Sequence, residues 1–492
     1  MPLERLSPLD AGFLHVEDGV THMHIGSVSI MEGPPPPYQE FRDRVAGKLP
    51  LVRRYRQIVR TVPFDLGRPV WADDPYFNIE YHIRHTALPQ PGNEAQLSNL
   101  VGRVMAQQLD RERPLWEMWM VEGLPDDQWA IISKVHHCMV DGVAGSELLG
   151  LILDPTPDPP SVEELPWIPE LPPARWELAL GAVTDMITSP AELQRLLRAQ
   201  TRLPRLLLSQ AGTALGAIRS TAAAMRGPSL PSLNGPLGPH RRWVGAEVSV
   251  ADVKEVRHRF GGTFNDVVLA LISGGFRDLL IKRSECVDFP LRSLVPVSVR
   301  PRDARGRAVG DGQMANRVSA VFADLPVHLE DPVERLRVVS EQMAGLKQSQ
   351  QAMAGEVLSS LSGFAPPMIL SLAGRLGTKV PQHTINTVTT NVPGPQIPLY
   401  ATGRRMLKVY PYVPLGMRLR IGVAIFSYDG AVTFGVTGDY DSAPDIEVLA
   451  QGIETAMADL LAIDHQANII DLRGGGGDRS RARAGSEVPT DA

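Results

Sequence analysis

Apolar and polar positions along the chain predict three blocks of regular structure and two segments that cannot form a core. Residues 1–153 and 240–472 each mix strand-like and helix-like patterns, whereas residues 175–226 have the alanine- and leucine-rich pattern of helices. Residues 154–174 hold eight prolines, which exclude a helix or a central strand. We therefore predict two α+β domains, 1–153 and 240–472, joined by a proline-rich linker and a helical crossover over 154–239. The glycine-rich, charged tail 473–492 is predicted to be disordered.

Two local patterns are specific enough to predict single elements. Apolar, β-rich runs lie on either side of Asp429 and Gly430, and Asp-Gly is favoured in the two-residue turn of a hairpin. The run WAIISKV, residues 129–135, predicts a buried strand, and the pattern that starts at Asp141 predicts a helix. His136 and His137 therefore lie where a strand ends and a turn begins.

Composition narrows the class of protein. A chain of 492 residues is too long for one ordinary core, and 43% hydrophobic with 21% charged residues is typical of a globular protein. The net charge of −6 and the lack of a strongly basic domain argue against a nucleic acid partner. Two cysteines fit a reducing cytoplasm better than a disulfide framework. Because we find neither a signal peptide nor an uncharged apolar run of ~18 residues, we expect a cytoplasmic protein, soluble or peripherally bound.

The histidine pair, followed by Asp141 and Gly142, is the clearest candidate for chemistry. If the strand continues through His137, the two imidazoles point to opposite faces, which favours one in a cleft and the other in packing. This divergence, with no HExxH spacing, argues against a metal site. An imidazole can act as a general base near neutral pH, Asp141 could brace the loop, and Gly142 would allow a tight turn. A purely structural pair remains an alternative.

The motif HHCMVDG, residues 136–142, resembles the HHxxxDG signature of the bacterial wax ester synthase/diacylglycerol acyltransferase family. More distantly, its HxxxD core is similar to chloramphenicol acetyltransferase, plant acyltransferases and peptide-synthetase condensation domains. Further stretches resemble the same family in the expected order: LSPLDAGFLHVED (6–18), THMHIGSVSI (21–30), RPLWEMWMVEGL (113–124), TFNDVVLALISGGFR (263–277), LVPVSVR (294–300) and TNVPGP (390–395). One departure is Ala315, which stands where a glycine is expected before an asparagine.

This resemblance implies a fold, a reaction and a set of site residues. The fold would be two chloramphenicol-acetyltransferase-like domains, each a mixed sheet flanked by helices, with a tunnel between them. His137 would be the general base, His136 would support it, and Asp141 would be a structural brace. The reaction would be O-acylation of diacylglycerol or a long-chain alcohol by fatty acyl-CoA, giving triacylglycerol or wax ester without an acyl-enzyme. Acyl-CoA would be a substrate, so we expect no cofactor and no metal.

The remaining motifs each allow two interpretations. Pro114, Leu115 and Trp116 either shape packing near the tunnel or contact substrate. Asn265 and Asp266 either cap the helix that follows them or contact substrate. Cys138 is expected to be a small buried residue rather than a nucleophile.

The crossover segment 191–226 carries six arginines and one acidic residue, Glu192, with leucines and isoleucine between them. It is either an ordinary helix with a solvated basic face or a contact to a membrane or lipid-droplet surface.

Three rival functions also remain possible from the sequence alone. They are a same-fold acyltransferase that uses another alcohol or an amine in complex-lipid or peptide assembly, a non-catalytic lipid-binding protein, and a metallohydrolase.

Overall fold

The computed structural model describes residues 4–139, 150, 152–160, 166–188, 230–298, 318–346 and 384–463. In the first range the helices are α1 (Pro8–Val16), α2 (Tyr38–Lys48), α3 (Ile79–His82) and α4 (Glu94–Ala106), and the strands are β1 (His24–Met31), β2 (Gln57–Arg60), β3 (Val70–Asp73), β4 (Ile83–Ala87), β5 (Trp116–Glu122) and β6 (Trp129–His136). The later helices are α5 (Arg175–Thr188), α6 (Val250–Phe260), α7 (Phe264–Lys282) and α8 (Ile446–Ala462). The later strands are β7 (Arg241–Ser249), β8 (Leu291–Ser298), β9 (Val318–Leu325), β10 (Thr387–Pro393), β11 (Tyr400–Ala401), β12 (Arg404–Tyr412), β13 (Ile421–Tyr428) and β14 (Ala431–Asp439). Residues 332–346 are also helical.

Two six-stranded sheets organise these elements, and a small sheet pairs β2 with β3. The first sheet has the order β11-β12-β1-β6-β5-β4, in which only β4 and β5 run parallel. The second has the order β7-β14-β13-β10-β8-β9, in which β10 runs parallel to both of its neighbours. The predicted α+β fold with two mixed sheets is therefore confirmed.

Helices pack against both faces of the first sheet, and α7 and α8 pack against the second sheet. Apolar residues of α4, including Leu97 and Val101, pack with Val28 and Ile132 on one face of the first sheet. The other face packs against α1 and α2, and burial of these apolar side chains stabilises the layered arrangement. In the second half, α7 and α8 share a buried cluster with β13 and β14.

Strand pairing crosses between the two halves of the chain. β12 lies in the second half of the sequence but pairs antiparallel with β1, with Val28 opposite Tyr410. The first sheet therefore contains strands from both halves of the chain. The boundaries of the two predicted domains remain a prediction.

Two predictions from local sequence patterns are confirmed. Asp429 and Gly430 form the turn between β13 and β14, and both have positive φ angles, 41° and 87°, as a type I′ turn requires. In the described parts of the proline-rich connector, 154–160 and 166–174, no helix or extended strand forms, and Asp154 makes an isolated bridge to Tyr400.

The start of α1 is fixed by its own sequence. The Ser7 side chain accepts a hydrogen bond from the Asp10 amide at 3.1 Å, and Pro8 occupies the first helical turn, where no amide donor is needed. The helix ends at Val16, so Phe13 lies in its last turns and Glu17 directly follows it. Both residues reach the histidine motif, as described below.

The close contact between the two sheets depends on a residue without a side chain. A Cβ atom on Gly435 of β14 would lie 1.7 Å from the carbonyl oxygen of Pro411 in β12, and that oxygen also accepts a hydrogen bond from the Trp243 indole at 3.2 Å. Gly435 therefore lets β12 reach the first sheet while it packs against the second.

We predict that Gly435→Ala lowers the free energy of unfolding by about 2–3 kcal/mol, because β12 must shift or the core must overpack. Gly181→Ala is the matched control, since a Cβ there meets nothing within 4 Å and α5 favours alanine over glycine. Urea unfolding of both variants measures the difference. Equal stability of the two variants would contradict the assigned close approach.

Candidate active site

The histidine motif lies at the end of a central, fully buried strand. All eight residues of β6 are buried, and β6 lies between β1 and β5 in the first sheet. The strand ends at His136, and His137–Met139 form a single 3-10 turn. The strand therefore does not continue through His137, which was the condition for the expected divergence of the two imidazoles. The backbone turns at His137 instead.

Backbone hydrogen bonds from both neighbouring strands hold this end of β6. The His136 amide donates to the Leu115 carbonyl at 2.9 Å, just before β5 begins. The His137 amide donates to the Met23 carbonyl at 2.8 Å, just before β1 begins. The positions of both imidazoles are thus set by main-chain contacts before any side-chain contact is considered.

His137 is half-buried and lies against α1. Its imidazole stacks on the Phe13 ring with centroids 3.9 Å apart and an interplanar angle of 24°. Nδ1 makes no hydrogen bond to another residue in the described part of the chain. Burial lowers the pKa of the His137 imidazole below its ordinary value, against a smaller opposing effect of its own backbone. The ring is therefore neutral at physiological pH, as a general base must be.

His136 is buried and neutral, and its contacts fix its tautomer. Nδ1 accepts a hydrogen bond from the Cys138 amide at 3.1 Å, so the proton of the neutral ring lies on Nε2. Nε2 lies 3.6 Å from Glu17 Oε1, and both side chains are 1% exposed. Burial lowers the pKa of His136 to about 4, although Glu17 acts in the opposite direction.

Glu17 and Arg111 belong to this site and are absent from the residues predicted from the sequence. The Glu17 carboxylate accepts hydrogen bonds from Arg111 Nε at 3.0 Å, Gln108 Nε2 at 3.2 Å and the Met23 amide at 3.2 Å. Burial raises the pKa of Glu17, but His136 and Arg111 outweigh it, and the net shift is downward. Glu17 lies inside one of the family-like stretches, which was the only signal available for it in the sequence.

Residues of the PLW stretch support the motif through packing and main-chain contacts. Leu115 supplies the carbonyl that receives the His136 amide, as above. Trp116 is fully buried, and its indole donates to the Tyr55 carbonyl at 2.8 Å. The Trp116 carbonyl in turn accepts a hydrogen bond from His82 Nδ1 at 2.8 Å. These contacts favour the packing interpretation for Leu115 and Trp116, and contact of Pro114, Leu115 or Trp116 with substrate stays a prediction.

The stretch that contains Asn265 and Asp266 begins a helix. Thr263 is the N-cap of α7, and Asp266 completes a capping box by accepting the Thr263 amide at 2.8 Å. The predicted capping role is thus confirmed for Asp266, although Thr263 is the cap residue itself. Asn265 Oδ1 accepts a hydrogen bond from Asn391 Nδ2 at 3.1 Å, which joins this stretch to TNVPGP in β10.

A cavity of about 750 Å³ has Glu17 and Arg111 in its lining. Leu14 and Leu115 line it, together with Pro172 and Leu178 from the connector and α5. Among the described residues its lining comes from the first half, the connector and α5, so this cavity gives no support for the tunnel between domains that the resemblance implies. That tunnel stays a prediction.

The remaining predicted site residues divide into described and undescribed positions. Cys138 is buried, and burial raises the pKa of its thiol well above the ordinary value, so the sulfur is protonated and a poor nucleophile. Asp141 and Gly142 lie outside the described residues. Within the described ranges no cluster of three or more histidine, cysteine or acidic side chains could hold a metal ion.

Comparisons with known proteins agree with this geometry. Residues 6–268 match the wax ester synthase/diacylglycerol acyltransferase catalytic domain, and residues 314–461 match the C-terminal domain of the same family. The chain belongs to this family. A Mycobacterium tuberculosis H37Rv protein named "Probable diacyglycerol O-acyltransferase tgs1" is 39% identical over 481 residues, which cover 96% of this chain and 99% of the relative.

Solved structures give the same assignment. The wax ester synthase/diacylglycerol acyltransferase from Marinobacter aquaeolei VT8 is 26% identical, with a TM-score of 0.65 over 93% of this chain and 98% of its own. The first condensation domain of the calcium-dependent antibiotic synthetase is 16% identical, with a TM-score of 0.53 over 94% of this chain and 96% of its own, and shares the fold alone. The fold that the resemblance implied is therefore confirmed.

The low pKa of His136 makes stability depend on pH. Its folded-state pKa of about 4 is below the ordinary 6.5, so its contribution is complete above pH 6.5 and is lost as pH falls towards 4. We predict that the free energy of unfolding falls between pH 7 and pH 5, with about 2 kcal/mol of the loss due to His136. Urea unfolding at both pH values should show a smaller loss for His136→Asn. An identical loss in parent and variant would contradict a neutral His136.

Proposed function

We propose that this enzyme transfers a fatty acyl group from acyl-CoA to the hydroxyl group of diacylglycerol or a long-chain alcohol. The observation that carries the proposal is the neutral His137 imidazole at the end of β6, in a chain that belongs to the acyltransferase family. The relative from M. tuberculosis is named for the first acceptor, and the name of the Marinobacter protein covers both. Acyl-CoA is consumed as a substrate, and the proposed reaction needs no cofactor.

In the proposed mechanism His137 takes the hydroxyl proton while the oxygen attacks the thioester carbonyl. The tetrahedral oxyanion collapses, the carbon–sulfur bond breaks, and the imidazolium returns its proton to the CoA sulfur. No covalent acyl-enzyme forms, and the protonated, buried Cys138 supports this direct transfer. We propose a bracing role for Asp141 and Gly142 and a supporting role for His136.

We predict that His137→Ala lowers kcat/KM by about 10²–10⁴-fold, because the hydroxyl group loses its general base. Cys138→Ala is the matched control, since it removes a buried, protonated thiol and keeps the backbone amide that donates to His136. The assay uses labelled palmitoyl-CoA with a soluble short-chain alcohol, and circular dichroism verifies folding. A folded His137→Ala enzyme with the parent rate, or a Cys138→Ala enzyme as impaired as His137→Ala, would exclude this mechanism.

The acceptor is tested on the parent enzyme by competition. Diacylglycerol, hexadecanol and a long-chain amine are offered together with labelled palmitoyl-CoA, and the products are separated by chromatography. We expect triacylglycerol or wax ester as the main product. Preferential amide formation would support the rival same-fold acyltransferase, and binding of all ligands without turnover would support a lipid-binding protein.

We further propose that the protein works in the cytoplasm at the surface of membranes or lipid droplets, where its water-insoluble acceptors are found. No helix among the described residues is long and apolar enough to cross a bilayer. The proposed contact is the arginine-rich segment 191–226, which lies outside the described residues. Its sequence supports the proposal, because cations between apolar residues favour anionic interfaces.

We predict that replacing four arginines of this segment with glutamine weakens binding to anionic vesicles while transfer to a soluble alcohol continues. The four are Arg195, Arg198, Arg202 and Arg205. Each cation near an anionic surface contributes about 1 kcal/mol, and salt reduces the effect. Co-sedimentation with phosphatidylglycerol vesicles at two salt concentrations measures it.

The control for this experiment removes the same charge from exposed cations elsewhere. Its four substitutions to glutamine are at Lys254, Arg257, Arg337 and Lys408. The control should sediment with vesicles better than the crossover variant does. Equal sedimentation of the two variants would mean that net charge alone, and not this segment, governs binding.

A further inference from the structure

Glu17 is a buried carboxylate whose two oxygens have different partners. Oε2 accepts hydrogen bonds from the side chains of Arg111 and Gln108, and both of these residues are exposed to solvent. Oε1 accepts the Met23 amide at 3.2 Å and lies 3.6 Å from His136 Nε2. Arg111 therefore fixes the carboxylate from one side, and the other oxygen faces the histidine motif.

Oε1 accepts a hydrogen bond from the Met23 amide and lies near the His136 ring without a hydrogen bond to it, and both of these groups also hold the backbone next to the proposed base. The His136 ring accepts the Cys138 amide through Nδ1 at 3.1 Å, and Cys138 is the middle residue of the turn that begins at His137. The Met23 peptide offers its amide to Glu17, and its carbonyl accepts the His137 amide at 2.8 Å. Two short chains of contacts thus run from one carboxylate oxygen to the two sides of His137.

We propose that Glu17 is a positioning residue for His137, acting through the His136 ring and the Met23 peptide. An ion pair between the buried Glu17 and the exposed Arg111 would alone be weak reason to expect a functional role, because such pairs often contribute little net stability. The division of partners between the two oxygens is the stronger reason. An error of about 1 Å in the position of a catalytic group can lower a rate about 10²-fold. The inference rests on the proposed role of His137 as the base.

The length and charge of Glu17 can be tested separately. Glu17→Gln keeps the shape but removes the charge that fixes Arg111, and Glu17→Asp keeps the charge but is shorter by one methylene. We expect Glu17→Gln to lower kcat by about 10–100-fold with KM for acyl-CoA and alcohol within about threefold. We expect Glu17→Asp to lower kcat by at least about fivefold for lack of reach. Glu112→Gln is the control, because Glu112 borders the same cavity but is exposed and pairs with Arg60.

A double-mutant cycle separates positioning from general destabilisation. If Glu17 acts through His136, the kcat of the double variant Glu17→Gln/His136→Ala should lie within about threefold of the kcat of the slower single variant. Losses that multiply would overturn transmission through His136. If Glu17→Gln does not fold, a folded Glu17→Asp enzyme with the kcat of the parent overturns the proposal.

Hydrogen exchange gives a readout that needs no acyl transfer. We expect the amides of residues 136–138 to exchange about tenfold faster in Glu17→Asp or Glu17→Gln than in the parent, with no change in Glu112→Gln. Unchanged exchange at these amides overturns the proposal even if the parent is an active acyltransferase. Faster exchange in an enzyme without acyltransferase activity would instead refute the proposed function and leave the positioning contacts supported.

Discussion

The pairing of β1 with strands from both halves of the chain is the constraint on which the site depends. β1 pairs with β6 on one side and with β12 on the other, so a strand from the second half of the chain lies beside β1 in the first sheet. His24 of β1 lies opposite His136, and Met23 just before it receives the His137 amide. A shift of β12 would therefore move β1, and with it the carbonyl that holds the proposed base.

Local sequence patterns predicted the elements well where one short stretch carries all the information. The buried strand up to Val135, the Asp429–Gly430 turn and the capping role of Asp266 each follow from residues a few positions apart. The end of the strand was less certain, because adjacent histidines fit either a strand or a turn. The structure decides this by the Met23 carbonyl, which lies more than a hundred positions away in the sequence.

The contacts missed from the sequence are long-range and electrostatic. Glu17 and Arg111 are 94 positions apart, and neither belongs to a spacing that predicts an ion pair. The pairing of β12 with β1 was missed for the same reason, because the backbone groups that join them carry no sequence signal. Family resemblance supplied the fold and the proposed role of His137, but it did not point to Glu17 as a neighbour of His136.

Buried basic side chains near the motif are stabilised by helix carbonyls. Lys134 of β6 is fully buried and donates to the carbonyls of Val104 and Gln107 at the end of α4, and burial lowers its pKa to about 8. His24 donates to the Met105 carbonyl at 2.7 Å from the same face of the sheet. The carbonyl end of a helix is the favourable place for an ammonium group. These contacts fix β1 and β6 to the end of α4.

The position of Glu17 separates orientation of the base from control of its pKa. A carboxylate in contact with His137 would stabilise the imidazolium and raise the pKa of the base. Glu17 instead lies against His136. Burial lowers the pKa of His137, and its own backbone raises that pKa by a smaller amount. His137 thus stays neutral through burial, while a neighbouring histidine and a remote carboxylate hold it in place. Because Glu17 is not in contact with His137, its substitution should change kcat through geometry and leave the acid-side pKa of kcat/KM where it is in the parent.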